Sequence, residues 1–168
     1  MRSPQLMTSY ISNPAATADI LSPSSGWLRT GDICYVSAGK WFVVDRAKEL
    51  IKVRGWQVAP AELEGVLVSH PGILDAAVVG VKRGDSEAPR AFVQRLKGRR
   101  WKGEEEEGEG VTEEEIRAFM AERLAKFKAL EGGIVFVDQI PKNMTGKTVK
   151  KVLVEKYPYV EEGAEGGK

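Results

Sequence analysis

The hydrophobic positions change period several times along the chain, and each change predicts an element. Up to Ser25 the residues are mainly Ser, Pro, Asn, Ala and Thr with no sustained period, which reads as an irregular leader with one short helix near Pro14 to Ile20. From Gly26, the stretches Trp27 to Val36 and Lys40 to Val44 are rich in aromatic and β-branched residues. Ser37-Ala38-Gly39 between them signals a β-hairpin. Leu50, Ile51 and Val53 predict a short strand within a charged stretch, Asp45 to Arg54. Pro60 suits a first helical position, and Leu63, Val66 and Leu67 recur at helical spacing until His70-Pro71-Gly72, so a helix is expected from Pro60 to Ser69. Ile73 to Val81 and Ala88 to Leu96 read as strands joined at Gly84-Asp85-Ser86, a pair expected in the middle of a sheet.

Between Lys97 and Gly110 the composition collapses to Gly, Glu, Lys and Arg, too little apolar surface to offset the entropy of ordering, and the reading is a flexible acidic linker. Thr112-Glu113-Glu114-Glu115 is a capping box opening a helix whose apolar stripe is Ile116, Phe119, Met120, Leu124 and Phe127. After Gly132-Gly133, Ile134 to Val137 predicts a strand, and Val149, Val152 and Leu153 a last short helix before a flexible Gly/Glu tail at 158–168. The order βαββαβα after the hairpin suits a small α+β domain over 46–157, preceded by a leader and hairpin over 1–45.

Composition narrows the function. Lys plus Arg number 25 against 24 Asp plus Glu, a net charge of +1 that supplies no global field to recruit nucleic acid or an anionic membrane. Positive charge is local instead, at Arg46, Lys48, Lys52 and Arg54. One cysteine, Cys34, rules out an internal disulfide, and with a single histidine, His70, it rules out a zinc site of Cys and His ligands. Cys34 alternates within a predicted strand and is expected to be buried and inert; His70 is expected to cap a helix end. Trp27, Trp41, Trp56 and Trp101 are too dispersed for a nucleic-acid stacking platform. No apolar run is long enough to span a bilayer, and no secretory signal or Ser-Lys-Leu terminus is present, so an intracellular, cytoplasmic setting is expected.

Met144-Thr145-Gly146-Lys147-Thr148, between a predicted strand and a predicted helix, imitates a phosphate-cradling loop. That loop needs a first glycine where Pro141 stands, so its backbone could not close around a phosphate. Lys147 is then a solvated lysine at a loop tip unless something else assigns it.

Four separated segments do assign it. Gly26-Trp27-Leu28-Arg29-Thr30-Gly31-Asp32, Val44 to Gly55 (VDRAKELIKVRG), Gln57 to Glu64 (QVAPAELE) and Ile140 to Lys147 (IPKNMTGK) occur in one order, and between them His70-Pro71, Asp75 to Gly80 and Glu87 to Val93 match as well. Together, from about Arg2 to Tyr157, the chain resembles the carboxyl-terminal region of the acyl-adenylate-forming (AMP-binding) enzymes, with coumarate-CoA ligases and firefly luciferase nearest in flavour. The resemblance implies an α+β fold with a small mixed sheet of about three strands flanked by helices. It implies a mobile domain of an ATP-dependent acid-CoA ligase, which activates a carboxylic acid as acyl-AMP and passes it to CoA. The cofactors implied are ATP and CoA, with magnesium held by ATP and a large amino-terminal domain.

That large domain carries the family's Ser/Thr/Gly-rich phosphate loop and acyl pocket, which no segment here supplies, so the chain is expected to work with it as partner and not to make acyl-adenylate alone. The first 45 or so residues resemble its trailing edge, and the chain is expected to be a fragment, a truncated gene or a stand-alone remnant.

By the same resemblance, Asp32 and Arg46 correspond to residues that hold the ribose of ATP, and Lys48 to the hinge between domains. Lys147 corresponds to the adenylation lysine. Lys52 and Gln57 correspond to a pair on the opposite face that serves thioester formation, and Arg54 and Gly55 to residues beside the pantetheine arm of CoA. Each has a plainer alternative: a turn residue at Asp32, surface cations at Arg46 and Lys48, a surface strand residue at Gln57, a turn glycine at Gly55. Competing functions are an adenylation module whose acceptor is a carrier-protein thiol, a luciferase-like oxidation, and a non-catalytic interaction or regulatory module.

Overall fold

The computed structural model describes residues 1–22, 24–96 and 110–160. The linker read at 97–110 lies outside them except for Gly110, and the tail read at 158–168 except for residues 158–160. The chain divides into two compact units, Met1–Lys48 and Glu49–Lys168.

In the first unit, Asn13 caps helix α1 (Pro14–Ile20) by accepting from the Ala16 amide, and Pro14 stands at its start. Strands β1 (Asp32–Ser37) and β2 (Lys40–Arg46) form an antiparallel ribbon, turned by Ala38 and Gly39 with φ of 48° and 73°. Positive φ at both central residues matches the right-handed twist of a ribbon. The first strand starts at Asp32, later than the expected Trp27: the backbone of 27–29 bonds instead to Met1, Ile20 and Ser22, with a Leu21–Leu28 bridge, and the chain then turns at Gly31, φ 77°. Cys34 is exposed, contrary to its expected burial. Alternation buries a side chain only where a second layer covers one face; every residue of β1 is exposed and all but one of β2. Tyr35 and Phe42 stack across this ribbon with ring centroids 5.0 Å apart.

The second unit is built on a three-stranded mixed sheet. Strand β5 (Ile73–Arg83) runs antiparallel to β6 (Ser86–Arg95), and β7 (Ile134–Val137) lies parallel on the other side of β6. The β5–β6 pair is therefore not the middle of the sheet: β6 is central and β5 an edge. The connection through α3 (Glu113–Arg123) delivers β7 beside β6, which is what a parallel neighbour requires. Thr112 and Glu115 form the capping box of α3, while Leu124 leaves the helix and Phe127 falls in a 3₁₀ turn, Lys126–Lys128. Both still pack half-buried on the core. Helix α2 (Pro60–Val68) starts at Pro60, and α4 (Lys150–Lys156) closes the order. Ahead of α2, β3 (Ile51–Val53) and β4 (Trp56–Val58) make a separate two-stranded hairpin.

The sheet has an apolar layer on each face. Ala76, Val78, Ala91 and Val93 pack with Ile51, Val53 and Val58 of the hairpin, Leu63 and Leu67 of α2, and Ile116 and Met120 of α3. The alternate residues Ala77, Val79, Val81 and Phe92 pack with Val137, Ile140 and Leu153. Burying a side chain such as Leu63 or Leu67 contributes about 1.5–3 kcal/mol, so these two layers are the main stabilising term. Gly132 is required by packing, since a Cβ there would lie 2.6 Å from Val81 Cγ2 and 2.9 Å from the Pro89 carbonyl oxygen. Tyr159, in the stretch read as tail, packs half-buried on the second layer, with the Arg90 guanidinium 5.4 Å from its ring centre. Among the described residues no helix is long and apolar enough to cross a membrane.

Candidate active site

Of the residues singled out from the sequence, the structure brings together three pairs and leaves the other two apart. Asp32 and Arg46 face each other in the β1–β2 register, with Arg46 Nε 3.9 Å from Asp32 Oδ1. A guanidinium beside a half-exposed carboxylate offers two acceptor oxygens and a set of donors, a fit to vicinal sugar hydroxyls. Lys48 is exposed and is the last residue of the first unit.

The second pair stands on the β3–β4 hairpin. Lys52 is opposite Gln57 in register, and both are exposed, while Ile51, Val53 and Val58 are buried beneath them. The Lys52 amide and carbonyl are bonded outward, to Glu87 and Ser86, so Lys52 and Gln57 are a non-hydrogen-bonded pair, the kind whose side chains stand closest. Arg54 and Gly55, the third pair, form the turn, with φ of 47° and 86°. That φ by itself accounts for glycine at position 55, and a Cβ there would meet nothing within 4 Å, so space is open above it. Trp56 stacks on Phe127 with centroids 4.7 Å apart, which anchors the hairpin's far strand.

Lys147 sits on the loop 138–149, a different construction. Ile140 buries itself in the second apolar layer, and its amide donates to Gln94 Oε1 at 3.2 Å. Lys142 pairs with Asp75 at 2.6 Å, and Lys142 bridges Thr148 across the loop. Asn143 Oδ1 accepts from the Thr145 amide at 3.0 Å, the Thr145 hydroxyl at 2.8 Å and the Lys147 amide at 2.9 Å. Gly146, φ 79°, makes the left-handed step before Lys147, which is exposed. The Thr145 and Lys147 amides are thus committed to Asn143, and α4 begins only at Lys150, so this loop is no phosphate cradle.

The two lysines therefore ride on elements that pack against opposite faces of one sheet, the hairpin through Ile51 and Val58 and the loop through Ile140. Of the residues that brace them, Gln94 and Glu131 gave no signal in the sequence, while Ser86 stood only in a predicted turn and Glu87 only at the start of a matched segment; their bracing roles were hidden because their partners lie far along the chain. Asn143 did leave a signal: an Asn with Thr two positions on and Gly three on is the makings of an Asx turn.

A cleft of about 470 Å³ opens among Arg83, Arg90, Arg117 and Glu131. Its guanidinium groups are already partnered, Arg83 with Glu131, Arg117 with Glu113, and Arg90 with the Tyr157 carbonyl, and none of the eight residues singled out from the sequence lines it. Among the described residues no group of three or more His, Cys, Asp or Glu side chains could hold a metal ion.

A small mixed sheet with a layer on each face, a two-stranded hairpin ahead of it and a braced glycine-lysine loop behind it define the class. Residues 62–147 match the AMP-binding enzyme C-terminal domain, and the chain belongs to that family. It is 44% identical over 160 residues to a phenylacetyl-CoA ligase of Aspergillus niger, covering 93% of this chain and 28% of that protein. It is 42% identical over 160 residues to a probable 4-coumarate-CoA ligase of Dictyostelium discoideum, covering 94% of this chain and 27% of that one. Among solved structures it resembles the o-succinylbenzoate CoA synthetase of Bacillus subtilis in complex with an acyl-adenylate intermediate, with a TM-score of 0.74 and 30% identity over 90% of this chain and 29% of that one. The chain thus spans just over a quarter of the length of the curated relatives it matches.

Proposed function

We propose that this chain acts as the carboxyl-terminal domain of an ATP-dependent acid-CoA ligase, presenting Lys147 to form an acyl-adenylate and Lys52 with Gln57 to pass the acyl group to CoA. The observation that carries the reading is the placement of the two lysines on elements packed against opposite sheet faces. Two ammonium groups so placed cannot serve one small reacting centre together; they can serve it in turn if the domain rotates. The division of the chain directly after Lys48 supports that residue as the hinge.

In the first half-reaction the Lys147 ammonium would lie against the acid's carboxylate and the α-phosphate, where negative charge develops as pyrophosphate leaves. Asp32 and Arg46 would orient the ribose. In the second, Lys52 and Gln57 would face the adenylate while the open space over Gly55, beside Arg54, admits the pantetheine thiol. The partner this requires is a large domain supplying the triphosphate grip and the acid pocket. The exposed apolar ribbon supports such a partner, for Trp41, Tyr35 and Val43 are 76%, 54% and 67% exposed on a surface that water alone would solvate poorly.

The test is a pair of variants in the chain joined to such a domain, followed through each half-reaction in single turnover. Lys147→Ala should slow adenylation by about 10²- to 10³-fold and spare thioester formation from supplied acyl-adenylate, and Lys52→Ala should do the reverse. Equal losses in both steps for both variants would overturn the alternation.

A further inference from the structure

The β3–β4 hairpin is joined to the central sheet by side chains in place of a strand ladder. It forms its own two-stranded sheet, yet the outward edge of β3 is hydrogen-bonded at each turn of the backbone. The Lys52 amide donates to Glu87 Oε2 at 2.7 Å, and the Arg54 amide donates to Ser86 Oγ at 2.7 Å. The Ser86 hydroxyl in turn donates to the Lys52 carbonyl at 2.9 Å. Two neighbouring residues at the start of β6 thereby hold both backbone groups of Lys52. The hairpin is also pressed close: a Cβ on Gly80 would lie 3.2 Å from Ile51 Cγ2 and 3.5 Å from Glu87 Oε2. At the turn, Arg54 keeps a left-handed backbone that a non-glycine residue rarely adopts, and its guanidinium donates to Glu131 Oε2 at 2.7 Å.

We infer that Ser86 and Glu87 are positioning residues for the thioester-forming face, fixing the backbone of Lys52 and through it the directions of Lys52 and Gln57. This rests on the reading of Lys52 and Gln57 given above. The physical case is one of tolerance. A reacting group must be held within roughly 0.5 Å of its productive place, and a three-residue strand with a buried underside has one free edge by which it can slide or twist. The carboxylate of Glu87 and the hydroxyl of Ser86 close that edge. Neither side chain needs to touch CoA or the adenylate to matter, because a displacement of about 1 Å costs on the order of 10²-fold in rate.

Two measurements on Glu87→Ala, Glu87→Gln and Ser86→Ala decide it. In the 168-residue chain itself, hydrogen exchange at the Lys52 amide should quicken in Glu87→Ala and return toward the unmodified rate in Glu87→Gln, whose amide oxygen can still accept. In the chain joined to an adenylation domain, Glu87→Ala should lower the single-turnover rate of CoA attack by about 10- to 100-fold with the KM for CoA little changed, and Glu87→Gln should recover most of that loss. Ser86→Ala should show a weaker form of the same split, and adenylation should stay within about twofold of the unmodified rate in all three variants. An unchanged Lys52 exchange rate, or equal losses in both half-reactions, would overturn the clamp. If Lys52→Ala slows CoA attack while Glu87→Ala does not, the clamp fails and the assignment of Lys52 stands; if Lys52→Ala leaves CoA attack untouched, the functional reading fails and the inference falls with it.

Discussion

The hairpin that carries Lys52 and the loop that carries Lys147 solve one problem in two ways. Each must hold an exposed lysine on a short, irregular piece of backbone. The hairpin is fastened from outside, by Ser86, Glu87 and Glu131, residues 32 or more positions away in sequence. The loop is fastened largely from within, by Asn143 on Thr145 and Lys147, with longer-range help from Gln94 and Asp75. The loop's bracing is thus mostly local, whereas the outer edge and turn of the hairpin depend on residues brought to it by the rest of the unit. Damage to the sheet's first face should therefore reach Lys52, and damage to the loop's own residues should reach Lys147.

The largest stability effect should come from the anchors. Ile51 and Ile140 are both buried, so Ile51→Ala and Ile140→Ala should each cost about 2–5 kcal/mol in denaturant unfolding of the chain. Beyond these losses, the effects should differ in place. Ile51→Ala should quicken amide exchange at Lys52 and leave the Lys147 amide slow, and a reciprocal pattern should follow Ile140→Ala. Uniform quickening at both sites would show that the two elements are one cooperative unit.

A middling effect is expected for Asn143→Ala, which strips the loop of three acceptor contacts. The groups involved are exposed, and water replaces part of the loss, so the cost should be about 1–2 kcal/mol. Pyrophosphate exchange should slow in the joined enzyme while CoA attack on supplied acyl-adenylate does not. A loss confined to CoA attack would reverse the assignment of loop and hairpin.

The smallest effect is a pH dependence on the hairpin's side of the sheet. His70 follows α2, its Nδ1 accepts from the Gly72 amide at 3.0 Å, and its ring meets the Phe119 edge-on at 4.8 Å. Burial holds its pKa below the usual imidazole value, with Arg123 adding to the effect and Glu115 opposing it. The unfolded chain therefore takes up the proton first as pH falls through the ordinary imidazole range of about 6.5, and the folded state loses stability there. His70→Gln should flatten that part of the stability profile, and an unaltered slope in the variant would place the pH dependence elsewhere.

Much of this architecture is legible in the chain itself, since the signals are local. Pro60 at a helix start, the Thr112–Glu115 capping box and the run Ile134 to Val137 each describe backbone preferences that act within one turn or one strand, and each element lies where its signal falls. The motif segments placed the chain in its family on the same terms. Where a side chain ends up relative to a second layer is not local, and there the sequence misled: Cys34 alternates like a buried strand residue but stands exposed on a ribbon whose strands hold no buried residue. The strand order was also beyond reach, because β6 became central only when β7 arrived beside it after α3. Above all, the residue types at 52 and 147 follow from sequence, but their placement on opposite faces does not. That placement is decided by which side of a pleated sheet receives Ile51 and which receives Ile140, a choice made by packing between residues tens of positions apart.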